Sequence, residues 1–466
     1  MGNNQKGSEL SSFIADFLQG KRVLILGYGR EGHSTLNLIA KTGIKAGITV
    51  ADKNESSLND DELISNNNCT TLSGPDYLNT INHYDIVIKS PGISLKDVDY
   101  DKSRITSQTD LFLKVYGSRT VGVTGTKGKS TTSSLIFHIL KSVFPDTVFG
   151  GNIGIPLFDL ADRIGEHSKI VCELSSHQLE FTNHSPHIAV LLNLFQEHLD
   201  HYKSFLDYQK AKLNIALYQK SRDYLIYHSE DQNLQLLLKS HEQIKSNMLP
   251  MSINHDPINN HGIPSAIIEG KLSSNLPGEH NRLNVKIAAA SSFLMGAVLS
   301  EIEAALKTFN PLEHRLEFVG IFKNKKFYND SISTIPESSI AAVESLKPVH
   351  TLILGGFNRG IDYNDLAEYI LNSGLRSIIT TGPAGATIYR LLIDKGFASF
   401  EVEGSHTGLN NRILIHKDAF DDAVAEAIKN TPDGSTCLLS PAASSYNEFK
   451  NFEHRGNRFK ELVSAH

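Results

Sequence analysis

Short apolar runs alternate with longer amphipathic stretches along the whole chain. Val23–Leu26, Ile86–Ile88, Thr120–Val123, Ile188–Leu192, Leu352–Leu354 and Cys437–Leu439 are short and apolar on both faces, as strands of a covered parallel sheet are. Helical periodicity follows several of them. The clearest case is Thr131 to Val143, after the run at Thr120. Another runs from Asn284 to Met295 and is expected to continue to Leu306. This alternation predicts an α/β protein with mostly parallel sheets. There is no repeat of fixed period and no low-complexity tract.

Three blocks are expected, at 1–112, 113–311 and 312–466. The last begins where Phe309-Asn310-Pro311 stops a helix, since proline cannot donate the next hydrogen bond. It has a strand and turn signal of its own, Leu352 to Gly356.

A length of 466 residues allows this many domains. Apolar residues make up 40% and charged residues 21%, the balance of an ordinary globular protein. The formal net charge of −6, without a dense run of one sign, argues against a nucleic-acid surface. It leaves anionic small molecules open, because loop amides and a few cations bind phosphate locally. The three cysteines Cys69, Cys172 and Cys437 are widely spaced and suggest neither disulfides nor a zinc site. The polar stretch Met1 to Leu10 lacks the apolar core of a signal peptide, and no run reaches membrane-spanning length. A reduced cytoplasmic location without a membrane partner follows.

The strongest chemical signal is Gly125-Thr126-Lys127-Gly128-Lys129-Ser130, between a predicted strand and a predicted helix. Glycines let backbone amides turn toward a phosphate, and the helix start adds partial positive charge. Lys129 can reach the outer phosphates, and the Ser130 hydroxyl can sit on Mg²⁺. The spacing is shorter than in the usual P-loop. Glu173 closes the run Ile170-Val171-Cys172, at a strand's C-terminal end, where ligands gather in such sheets. A carboxylate there can hold Mg²⁺. His198 follows the Ile188–Leu192 run and could serve a second cation; taken singly, a residue of either kind is more often a hydrogen-bonded loop residue than a ligand.

Leu26 to Gly32 contains a GxGxxG turn after a strand and before a helix, with Asp52 twenty residues beyond its last glycine. That is the dinucleotide fingerprint, and alone it would suggest NAD and a dehydrogenase. The same turn takes the diphosphate of a UDP-sugar, which the phosphate loop downstream makes the better choice.

Taken together, the motifs resemble those of the Mur ligases, which build the peptide of the bacterial cell wall. Gly122 to Thr132 (GVTGTKGKSTT) resembles their ATP loop, and Gly150 to Pro156 (GGNIGIP) their GGNIG segment. Glu173 to Glu180 (ELSSHQLE) resembles ELSSFQLE, and Leu276 to Asn284 (LPGEHNRLN) resembles LPGxHNxxN. His314-Arg315 and Asn329-Asp330-Ser331 follow in the family's order. Ser90-Pro91-Gly92-Ile93 and the ending from Ser440 to Gly456 are similar to the glutamate-adding branch. The match runs through all three blocks.

The resemblance implies a Rossmann-like UDP-binding domain, a central P-loop ATPase domain and a Rossmann-like acceptor domain. It implies that ATP phosphorylates the terminal carboxylate of UDP-N-acetylmuramoyl-L-alanine, and that the glutamate amine then displaces phosphate. Lys129, Glu173, His198 and Lys212 would be catalytic. Ser130, Glu173, His198 and Lys212, the last as a carbamate, would serve two Mg²⁺ sites. Read alone, Lys212 is a solvated helix lysine, with Lys210 a nearby competitor. ATP would meet Gly125, Thr126, Lys127, Gly128, Lys129, Ser130, Thr131, Asn281, Asn284, Arg315 and Asp330. The UDP-sugar would meet Gly27, Arg30, Glu31, Asp52, Lys53, Ser90, Gly92 and Asn152, and glutamate Thr334, Arg359, Ser445 and Phe452. A monomer is expected.

Two positions depart from the family pattern. Arg359 stands where the family has lysine, and its planar fork would change the grip on a carboxylate. Ile332 follows Asn329-Asp330-Ser331 where D-glutamate-adding enzymes carry lysine. D-glutamate is the favoured acceptor, with L-glutamate the alternative. A non-catalytic nucleotide-sugar protein would not need Lys129, Glu173, His198 and Lys212 together. A folate-chain polyglutamate ligase would not open with GxGxxG and Asp52.

Overall fold

The computed structural model describes residues 8–59, 61–197, 201–241, 243–253, 261–274, 276, 279–309, 313–358, 360–397, 400–402, 405–408 and 412–465. The chain forms two compact units, Met1–Phe309 and Asn310–His466.

The first unit contains two sheets. One is built from β1 (Arg22–Leu26), β2 (Gly47–Asp52), β3 (Thr70–Ser73), β4 (Ile86–Lys89) and β5 (Ile105–Thr106), in the order β3-β2-β1-β4-β5. All its pairings are parallel. The other is built from β6 (Thr120–Thr124), β7 (Val148–Gly151), β8 (Ile170–Glu173), β9 (Ile188–Leu191), β10 (Tyr224–His228) and β11 (Asn247–Met251). Its order is β11-β10-β9-β6-β8-β7, again all parallel. The central strands are buried on both faces because helices cover both, which is why their sequences are continuous apolar runs. Val23, Leu24, Ile25, Val121, Val123, Ile188 and Val190 are fully enclosed.

The helix after β6 spans Lys129–Val143 and starts two residues earlier than its periodicity suggests. Gly128, at φ +84°, supplies the left-handed cap from which it begins. The expected continuous helix to Leu306 is instead two helices, Glu279–Leu294 and Leu299–Thr308. Gly296, at φ +107°, turns the chain between them.

The second unit holds β12 (Glu317–Phe322), β13 (Lys325–Asn329), β14 (Thr351–Gly355), β15 (Ser377–Thr381), β16 (Phe400–Val402), β17 (Ser405–Gly408), β18 (Arg412–Lys417) and β19 (Thr436–Leu439). Their order is β12-β13-β19-β14-β15-β18-β17-β16, parallel from β13 to β18 and antiparallel at both margins. Lys323 and Asn324, both at positive φ, make the two-residue turn of the β12–β13 hairpin. Among the described residues no helix is long and apolar enough to cross a membrane.

Candidate active site

The direction of strand order in the first sheet reverses between β1 and β4, so the loops after these two strands border a crevice. Gly27 turns there at φ +90°; a Cβ on it would lie 2.8 Å from Ile93 Cγ1 and 2.9 Å from Ser90 Cβ. Gly32 is needed for close packing, because a Cβ would stand 2.1 Å from the Gly27 carbonyl oxygen. Ser90 Oγ donates to that same carbonyl at 2.7 Å. Gly29 caps the helix Arg30–Thr42 without a side-chain hydrogen bond, the arrangement that suits an external anion.

The cleft above this turn has a volume of about 420 Å³. It gathers Gly27, Arg30, Glu31, Asp52, Ser90, Gly92 and Asn152, seven of the positions expected to meet the nucleotide-sugar. Lys53 is exposed and does not line the cleft. Asp52 does line it, but its carboxylate already accepts the amides of Tyr28 at 2.7 Å and Asn54 at 2.9 Å. Its first task is therefore to brace the glycine turn.

The phosphate loop leaves β6 between β8 and β9. Gly125 sits against Leu192; a Cβ on it would be 2.8 Å from the Leu192 Cβ. Asn193, the residue after the β9 run, holds the loop from below. The Lys127 amide donates to Asn193 Oδ1 at 2.7 Å, Asn193 Nδ2 returns a bond to the Lys127 carbonyl at 3.0 Å, and the Thr126 amide donates to the Asn193 carbonyl at 2.9 Å. Thr126 Oγ1 and Tyr208 Oη lie 2.8 Å apart. Lys129 curls back so that Nζ donates to the carbonyls of Gly125 and Thr126, at 2.9 and 3.0 Å. Lys127 pairs with Glu197 at 2.8 Å. Ser130 is buried at the helix start and Thr131 half-buried beside it. Asn284 accepts from Thr132 Oγ1 at 3.2 Å and donates to Asn281 Oδ1 at 3.0 Å, so both asparagines lie against the start of this helix.

Glu173 ends β8, where it pairs in register with Val123, two residues before Gly125. It is 1% exposed. One carboxylate oxygen accepts Asn152 Nδ2 at 2.7 Å, while Oε2 is buried without a hydrogen-bond partner in the described structure. A buried carboxylate oxygen left over in this way fits a cation. Among the described residues no group of three or more His, Cys, Asp or Glu could hold a metal. Mg²⁺ tolerates that, because it takes much of its shell from water and phosphate oxygens.

Lys212 is not the solvated helix lysine that its sequence context suggests. It is 2% exposed, whereas Lys210 is exposed. Its Nζ donates to the Gly125 carbonyl at 2.8 Å and lies 4.9 Å from the centre of the Tyr208 ring. Burial, and then the neighbouring Lys129 charge, hold its ammonium form well below the usual lysine range. His198 falls outside the described residues.

In the second unit, β13, β19 and β14 are neighbours, and the loops after them carry the remaining candidates. Asp330 accepts Ser440 Oγ at 2.7 Å and the Leu316 amide at 3.2 Å. Burial pushes its carboxyl up to about 6, against the opposing pull of its hydrogen bonds and the Arg315 charge. Ser445 is buried; Thr334, Ile332 and Phe452 are half-buried. Arg359 falls outside the described residues.

Arg455 holds these loops together. It is 1% exposed, and it donates to Ser331 Oγ at 3.0 Å, to the Ser331 and Ala443 carbonyls at 2.9 and 3.0 Å, and to the Gly355 carbonyl at 3.4 Å. Burial lowers its guanidinium to about 9. Arg455→Ala is expected to destabilise the second unit by about 3 kcal/mol, because four buried acceptors lose their donor. Lysine should restore only part of that, since one ammonium cannot span the fork. Urea unfolding checks this, and a loss below about 1 kcal/mol would count against the role.

Asn193, Tyr208, Gln178 and Arg455 shape these sites yet were not among the residues expected to do so. Asn193 had a readable signal, being the first polar residue after an apolar strand run. Gln178 is five residues past Glu173, and only the short helix Ser176–Leu179 brings it back to the cleft.

Residues 123–292 match the family model described as the Mur ligase middle domain. A protein from Ruminiclostridium cellulolyticum named UDP-N-acetylmuramoylalanine–D-glutamate ligase is 32% identical, over 98% of this chain and 99% of that one. One of the same name from Symbiobacterium thermophilum is 30% identical, over 96% and 98%. Among solved structures, UDP-N-acetylmuramate–alanine ligase MurC from Thermotoga maritima aligns with a TM-score of 0.54 at 18% identity, covering 96% of this chain and 99% of that one. MurF ligase from the same organism, solved in complex with ADP, aligns with a TM-score of 0.55 at 13% identity over 98% and 99%.

Proposed function

This chain belongs to the Mur ligase family, and from that membership we propose how its sites divide one reaction between them. The protein is an ATP-dependent ligase that joins D-glutamate to UDP-N-acetylmuramoyl-L-alanine in peptidoglycan precursor synthesis. Relatives matched over nearly the whole chain carry D-glutamate in their names, which leaves the L-glutamate alternative without support. The observation that carries the reading is Asn152. It lines the glycine-turn cleft, and its amide holds Glu173 at the edge of the phosphate loop. A substrate with its diphosphate on the glycine turn thus has a path for its carboxylate toward ATP.

In the proposed reaction a carboxylate oxygen of the alanyl end attacks the γ-phosphorus and ADP leaves. The glutamate amine then attacks the acyl carbon and inorganic phosphate leaves. The loop amides and Lys129 neutralise charge on the transferring group. Ser130, Glu173, His198 and carbamylated Lys212 would hold Mg²⁺ in two sites, and the bound ions would supply further charge neutralisation. Asn281, Asn284, Arg315 and Asp330 are assigned to ATP, and Thr334, Arg359, Ser445 and Phe452 to glutamate. The proposed division is a UDP-sugar domain at 1–112, an ATP domain at 113–311 and a glutamate domain at 312–466. The net charge of −6 supports a protein that works without nucleic acid; we infer a cytoplasmic monomer.

The test is phosphate release from ATP. It should require both UDP-N-acetylmuramoyl-L-alanine and D-glutamate, and L-glutamate should substitute poorly. Release without either substrate, or no release with both, would sink the assignment.

A further inference from the structure

Glu31 puts a carboxyl group where the proposed reaction puts an anion. It is the second residue of the helix Arg30–Thr42, whose uncapped start the glycine turn presents to the cleft. It is half-buried, and its Oε1 accepts Gln178 Nε2 at 2.7 Å, which ties it to the wall opposite its own helix. Gln178 in turn is fixed by its side-chain carbonyl, which accepts the Ser175 amide at 2.9 Å. The carboxyl is thus held in the cleft by a partner that is itself anchored in a capping box.

A nucleotide-sugar diphosphate carries two negative charges, and a fixed carboxylate beside it would repel them. Gln178 donates to one Glu31 oxygen. The second oxygen can then help a phosphate only as an O–H donor. The charges around Glu31 leave this choice open. Arg30, its neighbour on the same helix, and Lys89 at the end of β4 both favour the carboxylate. Lys89 is buried, however, and is already committed to Glu180 at 3.2 Å, an oxygen that His201 also meets at 3.0 Å. Asp52, across the cleft, adds negative charge and is held in place by two amides. Gln108, packed from the helix Gln108–Tyr116, donates to the Glu31 backbone carbonyl and to Thr35 Oγ1 and is uncharged.

We propose that Glu31 couples nucleotide-sugar binding to proton uptake: its carboxyl enters the complex as the neutral acid and donates a hydrogen bond to a diphosphate oxygen. This rests on placing the diphosphate at the glycine turn. Burial, opposed by the Gln178 bond and by Lys89 and Arg30, raises the carboxyl to about 7, so the cost of protonation is small at neutral pH. The sign follows directly. Below pH 7 the acid is already present and little proton is taken up. Above it the free protein must gain a proton to bind, so affinity falls as pH rises.

The test is titration calorimetry of the full chain with UDP-N-acetylmuramoyl-L-alanine, whose diphosphate and carboxylate do not titrate between pH 6 and 8.5. Two buffers of different ionisation enthalpy report the protons exchanged. The wild type should take up close to one proton at pH 8 and almost none at pH 6, with affinity falling roughly tenfold from pH 7 to 8.5. Glu31→Gln, which keeps a donor without the titration, should bind with no such slope and no proton uptake. Wild-type binding without proton uptake, or a Glu31→Gln variant with the wild-type slope, overturns the proposal while leaving the site assignment standing. No binding at any pH, by a protein that melts cooperatively, overturns the site assignment itself and the proposal with it.

Discussion

Lys129→Ala is expected to reduce substrate-dependent phosphate release by roughly a thousandfold or more, the scale on which removal of a charge from a phosphoryl-transfer site is felt. Nucleotide-sugar binding should stay within about threefold, because the local change in charge does not touch the cleft proposed to hold it. The structural reason is the separation of the two places. Lys129 Nζ lies over the Gly125 and Thr126 carbonyls, and the residue does not line the glycine-turn cleft. Its hydrogen bonds hold the ammonium over the loop whose amides would meet the phosphates, so little reorganisation is needed when ATP arrives. Phosphate release and calorimetry on the same preparation check both halves. Loss of both, together with a lowered melting temperature, would mean that the loop had unfolded and that Lys129 matters for structure rather than for transfer.

The two glycine turns were legible in the sequence for a physical reason. Gly27, Gly32, Gly125 and Gly128 are required by backbone conformation or by contacts within 3.4 Å, and such requirements leave local marks on a chain. The short apolar runs were legible because parallel strands are buried on both faces. What could not be read was which polar residues the fold turns inward. Lys212 lies on a helix whose sequence, Phe205–Leu217, alternates polar and apolar residues with no strong preference for one face. Nothing local separates it from Lys210, and its burial comes from Tyr208 and the phosphate loop folding over it. Asp52 lines the glycine-turn cleft, but its bonds to the Tyr28 and Asn54 amides depend on the return of the chain and give it a bracing role first. Lys89, Glu180 and His201 converge from three separate segments, so no spacing rule could have joined them. The helix break at Gly296 was a local signal that the apolar periodicity on either side outweighed.

Lys212→Ala should lower ligation by roughly a thousandfold as well, through a different step. An ammonium beside Lys129 would add unfavourable like charge to the site; burial, and then that neighbour, shift Lys212 toward the neutral amine. A neutral amine is the form that adds to CO₂, releasing one proton and gaining a carboxylate-like group. The product carries a negative charge, which Lys129 nearby would stabilise, and it offers the oxygen ligands that an amine lacks. The buried, unpartnered Oε2 of Glu173 shows that the surroundings already contain acceptor capacity suited to a cation. Enzyme depleted of CO₂ should therefore lose ligation and regain it on addition of bicarbonate, and ¹³C-bicarbonate should give a carbamate resonance that Lys212→Ala lacks. Lys210→Ala, a change at an exposed position, should keep both the resonance and the activity. If Lys212→Ala retained more than about a tenth of the activity, the amine would be acting only as a packing element under Gly125. Retained ligation in CO₂-free buffer, with the amine intact, would point instead to Lys212 working as the amine that donates to that carbonyl.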